Sequence, residues 1–501
     1  MPETSPQQRH LLRHWLISAA VFVVFFALYA ATAQRGVSWQ DSGEFQYRVL
    51  AGDYVWHSGI ARAHPLYILM ARGFVRLFPQ SACFYAINLF SGVGLALGLA
   101  LLSASVMALT RSVRAAVLSA AVLGFAHMAW WLGTVAEVYT WSLAFLMAEI
   151  LCLVRYFEKR EGSWLIALFA VNGAHWSVHN FALIDFAVAF AVLGLEWWKG
   201  GRRRGWLAMG CLAGWSLGSL PLLWLANASL MGGESVTAVI KSVLFGEGYM
   251  AQVLGTGGCG GTLWLANLAL AGVSLINPLW LFAVTGVRTS RDDKRGQPLF
   301  WLGILTLFHL LFWVRYPVPD QATFFLPTLG LISVWVGLGG ARVGMRPARW
   351  ALMVTSGCLC AVAGPLLLSV AAQKTGAAVM RSRALPFRSE MPYWLLPWKH
   401  SEDSAARFVS EVGRQLCSGD VLVADATAAG PLLAAREAGA TGRDWRLLTP
   451  WSGETEAVLR TLLQDRKGRV FVVSPVAGYA PRPVLELTNG MERVGALYRL
   501  R

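Results

Sequence analysis

Charge is what this 501-residue chain has least of: 14% of its residues are Asp, Glu, Lys or Arg, against 56% hydrophobic, and the mean hydropathy is +0.50. So few charges cannot cover so much apolar material in water, which excludes an ordinary soluble protein and points to a chain that crosses a membrane several times. Negative charge is the scarcer sign, 28 acidic residues against 43 basic ones, a net +15. The lysines and arginines stand in short clusters between apolar runs, as in cytoplasmic loops, so no nucleic-acid partner is implied. Cysteine supplies no framework: Cys83, Cys152, Cys211, Cys259, Cys358, Cys360 and Cys417 are scattered, with no C-x-x-C pair and no Cys/His metal spacing. They read as small packing residues, and a bridge from Cys259 to Cys417 or Cys83 cannot be derived from their positions. No internal repeat marks the related halves of a secondary transporter.

Long apolar runs are what the chain has instead. The first, from about 16 to 33, follows a basic start. It exceeds the apolar core of a signal peptide, so it is read as a retained span although Ala31-Thr32-Ala33 imitates a cleavage site. Runs at 84–110, 115–133, 136–155, 163–179, 181–198, 206–229, 262–287, 298–314, 323–340 and 350–371 bring the predicted spans to eleven. With the N-terminus inside, the basic clusters at 111–114, 155–160, 199–204, 288–295 and 342–349 all fall on the cytoplasmic side. The outer loops between spans then hold only Lys241 and Arg315, apart from the arginines of the long first loop. Residues 65–79, short and amphipathic with Arg72 and Arg76, are predicted as an interfacial helix, because counting them as a span would reverse every later loop.

This topology gathers the polar connections on the outer side: the first loop 34–83, the 133–139 and 177–180 turns, the 230–261 loop and the 315–320 segment. Asp41-Ser42-Gly43-Glu44 is the sharpest of these stretches. Two carboxylates three residues apart share one face of a helical turn, where one can act as base or hold a metal while the other orients it. The alternative is a solvated helix start capped by Asp41 and Glu44. Glu137 and Tyr139 at a helix start, His179 and Asn180 in a turn, and Asp320 beside Arg315 and Tyr316 reach the same side. Glu149 and Asp185 are predicted within spans, where an ionisable group is costly and faces the bundle interior. GTGGCGG, closing the 230–261 loop, has the glycines of a phosphate nest but no preceding strand and no following Lys-Ser/Thr, and reads as a flexible loop.

From about 373 the composition turns soluble. Helical periodicity at 402–416, 428–437 and 453–465 alternates with strand-like stretches at 421–424, 445–448 and 470–474, as in a small α/β unit. The expected organisation is a helical membrane domain, 1–372, and an extracytoplasmic α/β domain, 373–501. That second unit has no dinucleotide fingerprint, nucleophile elbow or metal signature, and reads as a lid or acceptor-docking domain. Trp394 and Trp398 before it suit a membrane interface.

In order, the first span followed by W-x-D-S-G-E, then H-P-x-Y, A-E-V-Y at a helix start, G-x-H-x-x-x-H-N and Y-x-V-P-D-x-x-x-F-F-L-P resemble the DUF2723 family over roughly residues 15–340. That family includes the TMEM260-type protein O-mannosyltransferases and belongs to the GT-C superfamily of membrane glycosyltransferases. The resemblance implies an all-α polytopic GT-C-like fold and a polyprenyl-phosphate-linked sugar donor. It also implies transfer, mannose included, to a protein or glycan hydroxyl at the extracytoplasmic face of a membrane, here a bacterial inner membrane. The family's essential acidic position maps onto Asp41, with Glu44 second. His64 stands in the family's H-P stretch, though Leu66-Tyr67 follow where the family carries Pro-Gly. Such chemistry needs a cation at the lipid phosphate, and Arg35, Arg62 and Arg315 are the candidates, since a guanidinium forks onto phosphate oxygens. Asp41 is the expected base. Glu137, Tyr139, His179, Asn180 and Asp320 are the expected substrate-binding groups, and a divalent metal is left open.

Overall fold

The structure is a computed structural model that describes residues 6–200, 205–255, 261–290, 296–376, 384–442, 444–450, 457–461, 469–487 and 490–500. The central glycines of GTGGCGG, Cys259 and most of the helix expected at 453–465 lie outside the described residues.

The apolar runs fold as helices because only a helix satisfies its own backbone groups in lipid. α1 (Pro6–Thr32) leads into the first loop, which folds as α2 (Gln40–Ala51) and α3 (Pro65–Val75). α4 (Cys83–Thr110) is buried over most of its length and packs against α1, α5 (Val113–Gly124) and α7 (Tyr139–Lys159). The run at 115–133 is broken: α5 stops at Gly124, whose carbonyl accepts the Tyr29 hydroxyl at 2.9 Å, and a short α6 (His127–Leu132) follows. α8 (Gly162–Val178) and α9 (Ala182–Gly200) come next. α8 packs closely on α10 (Gly205–Gly218): a Cβ at Gly173 would sit 2.2 Å from the Trp215 carbonyl oxygen. Small residues permit that approach in a bundle that lipid does not squeeze together.

α10 bends by 70° into α11 (Leu220–Met231) at Pro221, which lacks the N–H needed to continue a helix. α12 (Val236–Phe245) and α13 (Met250–Val253) precede α14 (Gly261–Val273), which turns by 89° before Pro278 into the segment ending in α15 (Phe282–Ser290). α16 (Gly296–Arg315), α17 (Leu326–Gly340) and α18 (Pro347–Thr375) complete the bundle. Among the described residues six helices are long and apolar enough to cross a membrane, eight if each bent pair is one span. The eleven runs read from hydropathy exceed this by three: 115–133 is split between α5 and the short α6, α8 has 17 residues, and α9 carries Asp185, Glu196 and Lys199. Trp198, Trp206, Leu352 and Leu367 are exposed on the outside, as side chains facing lipid would be.

Beyond α18, α19 (Glu390–Leu395) and α20 (Ser404–Gln415) lead to a five-stranded sheet ordered β2-β1-β3-β5-β4. β1 (Val421–Val423), β2 (Arg446–Leu448) and β3 (Val470–Val472) are parallel, and an antiparallel hairpin, β4 (Met491–Val494) and β5 (Leu497–Leu500), extends one edge. α21 (Ala426–Glu437) follows β1 and lies against α2. The two helices cross at glycines: a Cβ on Gly43 would meet the Pro431 nitrogen at 2.8 Å, and one on Gly430 would meet the Gln40 oxygen at 2.7 Å and the Glu44 nitrogen at 2.8 Å. Trp39 reinforces the contact, its Nε1 donating to Ser404 Oγ at 2.8 Å and its ring lying 5.1 Å from Phe408.

Because backbone atoms, not flexible side chains, meet any methyl at the crossing, Gly430→Ala is expected to destabilise the detergent-solubilised protein by about 1–3 kcal/mol. Gly413→Ala, in a helix with nothing within 4 Å of the added atom, is expected to gain about 0.5–1 kcal/mol. Thermal unfolding of the two variants checks the sign of each; an unchanged Tm for Gly430→Ala removes the close crossing.

Candidate active site

One cavity of about 1110 Å³ lies where the first loop, the 133–139 turn, the end of α8, the 316–324 segment and the C-terminal unit meet. Asp41, Glu44, Arg62, His64, Glu137, Tyr139, His179, Asn180 and Asp320 all line it, so nine of the eleven expected site residues converge. The other two do not line it. Arg35 stacks over Tyr85 at 4.3 Å, and Arg315 points toward the Leu254 carbonyl at 3.5 Å.

α2 is held by a buried amide network beneath it. Ser38 N–H donates to Gln46 Oε1 at 2.8 Å, Gln46 Nε2 donates to Asn88 Oδ1 at 3.0 Å, and Asn88 Nδ2 donates to the Gln34 carbonyl at 3.0 Å. No side chain caps α2, so Asp41 and Glu44 are not a capping pair. Asp41, in the first turn, is exposed toward the cavity, whereas Glu44, one turn on, is buried. Glu44 instead faces Arg48 at 3.9 Å, an i,i+4 pair. The fully buried Arg48 also donates to the carbonyls of Arg62 and Ala63 and so pins the turn that carries Arg62. Arg62 Nη1 donates to the Tyr249 hydroxyl at 2.9 Å. Backbone strain concentrates here: Gln40, Trp56 and His64 all have positive φ, at 57°, 43° and 49°. Non-glycine residues hold such angles only where surrounding contacts over-determine them.

The electrostatics follow from four carboxyl groups and one arginine in a partly dry cavity. Burial and the nearby Asp41 push Glu44 up to about 8. The same two causes put Glu137 well above the usual carboxylate range, although Ser42 Oγ donates to its Oε1 at 2.9 Å. Burial, with Asp41 beside it, raises Asp320 to about 6, and the Tyr139 hydroxyl donates to its Oδ2 at 3.2 Å. Burial alone would lower Arg62; the Asp41 carboxylate, Tyr249, Glu44 and Asp320 more than offset it and keep the guanidinium charged. Burial, then Arg48, depresses His64 to about 3. The neutral ring donates from Nδ1 to the Val178 carbonyl at 2.7 Å and stacks on His179 at 5.5 Å. Asn180 lines the wall, but its amide ties the carbonyls of Val243 and Leu244, a structural task.

Sequence reasoning missed several participants. Arg48 carried a local signal, its i,i+4 spacing from Glu44. Tyr249, Tyr393, Trp394, Thr427 and Tyr479 line the cavity from elements remote in sequence and carried none. Glu149 and Asp185, expected inside spans, lie outside the lining and meet at His175, 2.8 and 3.4 Å away. Among the described residues these three alone bring ligand atoms within 4.8 Å of one another; the cavity carboxyls do not.

Fold and cavity together define a polytopic helical membrane protein with its polar site built largely from the loops between helices. Two solved structures, ArnT from Cupriavidus metallidurans bound to undecaprenyl phosphate and the same protein in the apo state, superpose with TM-scores of 0.64 and 0.60. Each covers 97% of both chains, at 13% and 14% identity, a likeness of fold. Among curated proteins, the chain is 25% identical over 354 residues to Protein O-mannosyl-transferase TMEM260 of Mus musculus. That stretch is 65% of this chain and 49% of the relative, so the chain spans about half the length of the curated protein it matches. No family model matches the sequence.

Glu44 gives a direct test of the buried acid cluster. The folded state holds a proton on it that the unfolded chain, at its ordinary 4.5, has already released, so its contribution to stability is complete below pH 4.5 and is lost as pH rises toward about 8. Glu44→Gln has no such titration. Its Tm advantage over the unaltered protein is expected to widen from about pH 4.5 to 8 and to level off above; a difference independent of pH would contradict a buried, protonated Glu44.

Proposed function

We propose that this protein is an integral-membrane glycosyltransferase of the DUF2723 and TMEM260 type. It moves a sugar, mannose on the strength of the relative's name, from a polyprenyl-phosphate donor to a hydroxyl of a protein or glycan acceptor. The observation that carries the reading is the pairing, in one cavity, of an exposed carboxylate, Asp41, with a half-buried arginine, Arg62. Inverting transfer needs those two functions: a base for the acceptor proton and a cation for the departing phosphate. The ArnT-like fold and the TMEM260 match support the same chemistry.

In this reading the acceptor oxygen attacks the anomeric carbon as Asp41 takes its proton. The bond from that carbon to the phosphate oxygen breaks, and polyprenyl phosphate leaves with the bonding pair, its charge met by Arg62. Glu44 and Glu137, protonated at neutral pH because they are buried, donate hydrogen bonds to sugar or phosphate oxygens without adding negative charge beside the leaving group. The lipid enters along the apolar wall formed by Leu183, Ile184, Leu263 and Phe312. The cavity opens at the extracytoplasmic side of a bacterial inner membrane, with the N-terminus inside and residues 373–501 as the outer unit.

A second reading, a flippase for lipid-linked sugars, has one observation in its favour. Two helix pairs are bent, by 70° and 89°, and Glu149 and Asp185 are ionisable groups buried in the bundle. Against it, the polar cavity is built from loops.

The discriminating experiment measures transfer of radiolabelled sugar from a polyprenyl-phosphate donor in membranes holding equal amounts of folded wild type or Asp41→Asn. The amide is nearly isosteric but takes no proton, so a loss of about 10²–10⁴-fold is expected. Equal transfer by both removes Asp41 as the base; transfer by neither across a panel of donors moves the weight to the flippase or to a non-catalytic membrane scaffold.

A further inference from the structure

Outside the cavity, the bundle encloses a second polar cluster that the transfer chemistry does not use. Glu149 on α7, His175 on α8 and Asp185 on α9 are each at least nine-tenths buried, and their side chains converge. His175 Nδ1 lies 2.8 Å from Glu149 Oε1 and 3.4 Å from Asp185 Oδ2. One imidazole nitrogen carries at most one proton, and at these distances that proton serves Glu149. Among the described residues Asp185 Oδ2 is accordingly a buried oxygen with no hydrogen-bond partner, aimed into the cluster.

The charge balance makes the same point. Two carboxylates with neutral imidazoles leave two negative charges inside a helical bundle, where an unpaired charge is expensive. Among the described residues no lysine or arginine pairs with either of them; their ion-pair partners are His175 and His309. Two extra protons or one divalent cation would balance the site.

The surroundings favour the cation. Each converging group is oriented from behind by a separate partner on its far atom. Ser142 Oγ lies 2.6 Å from His175 Nε2, Asn172 Nδ2 donates to Glu149 Oε2 at 3.2 Å, and His309 Nε2 lies 2.8 Å from Asp185 Oδ1. Asn172 is fixed in turn, its Oδ1 accepting from Trp215 Nε1 at 3.2 Å. Ligands backed one by one in this way, with their near atoms left facing one another, are how proteins build metal centres. We propose that Glu149, His175 and Asp185 bind a divalent transition-metal cation of the zinc class, with His309, Ser142 and Asn172 as its orienting shell. One imidazole and two carboxylates suit such an ion and leave a fourth position for water.

The site ties together α7, α8 and α9, and His309 adds α16. It lies one helical turn before Val178, whose carbonyl receives the His64 proton. A cation there fixes the end of α8 that forms the cavity wall. The proposal does not depend on the transferase reading.

The test uses the full-length protein purified in detergent, with Zn²⁺ as the probe. Elemental analysis after dialysis is expected to find about one zinc per chain in the wild type. Glu149→Gln and Asp185→Asn should lose it, and His309→Gln should bind zinc about 10–100-fold more weakly. Stripping the wild type with a chelator should lower Tm, and Zn²⁺ but not Mg²⁺ should restore it. Should the ligand variants fail to fold, Co²⁺ loading of the stripped wild type decides: a spectrum of nitrogen and oxygen ligation supports the site, and thiolate charge-transfer bands overturn it. Zinc retained by both folded variants, or a wild type that neither holds zinc nor responds to it, also overturns the proposal and leaves protons as the balancing charge.

Discussion

The helix that carries Asp41 and Glu44 is only twelve residues long and belongs to no membrane span, so its position depends on what covers it. That cover is α21, brought to backbone contact through Gly43 and Gly430. Below, the Gln34, Ser38, Gln46 and Asn88 network fixes the same helix to α4. The segment that carries Asp41 is thus clamped between the helical bundle and the helix that follows β1. A larger residue at either glycine would separate the two units at the point where Asp41 enters the cavity. This explains how Ala426 and Thr427, at the start of α21, come to line the same cavity as Asp41 and Glu44.

The clamp tolerates strain that the loop would not keep alone. His64 holds a left-handed backbone while its ring donates to Val178 and stacks on His179, and Arg48 grips the two carbonyls just before it. Each such residue costs about 1–3 kcal/mol. The return is geometric: the turn aims the Arg62 side chain back into the cavity, toward the carboxyls of α2.

Much of this was legible in the chain, and the reasons differ by element. Asp41, Glu44, Glu137, Tyr139 and Asp320 stood out because polar residues are rare in this sequence, and those at the ends of apolar runs have few places to go. Their convergence required only that the loops share one side. Arg35 and Arg315 failed because arginines at the ends of apolar runs also serve as local anchors, on Tyr85 and the Leu254 carbonyl here. His309 escaped notice because its partner Asp185 is 124 residues away and nothing local links them. The eleven runs and the eight long apolar spans differ at three places: 115–133 is split between α5 and α6, α8 has 17 residues, and α9 carries Asp185, Glu196 and Lys199. Three parallel strands announced themselves by short apolar runs, valine-rich in β1 and β3, while the closing hairpin did not, since Met491–Val494 carries two charges and turns through Gly495 at a φ of 57°.

The proposal that Asp41, among four carboxyls, is the base rests on its exposure and on the upward shifts of its neighbours. A base must be reachable by the acceptor and free of a proton at the start. Glu44 and Glu137 fail on both counts, being buried and shifted upward, with Glu137 already engaged by Ser42. Asp320 is half-buried, shifted to about 6, and accepts from Tyr139. Asp41 alone faces the open cavity. In that reading Glu44 and Glu137, held neutral by burial, place hydrogen-bond donors around the reacting centre without repelling the phosphate that Arg62 would hold, while Asp320, raised only to about 6, accepts from Tyr139. An acid-rich cavity next to a phosphate donor is a contradiction only if every acid is charged, and burial holds Glu44 and Glu137 neutral.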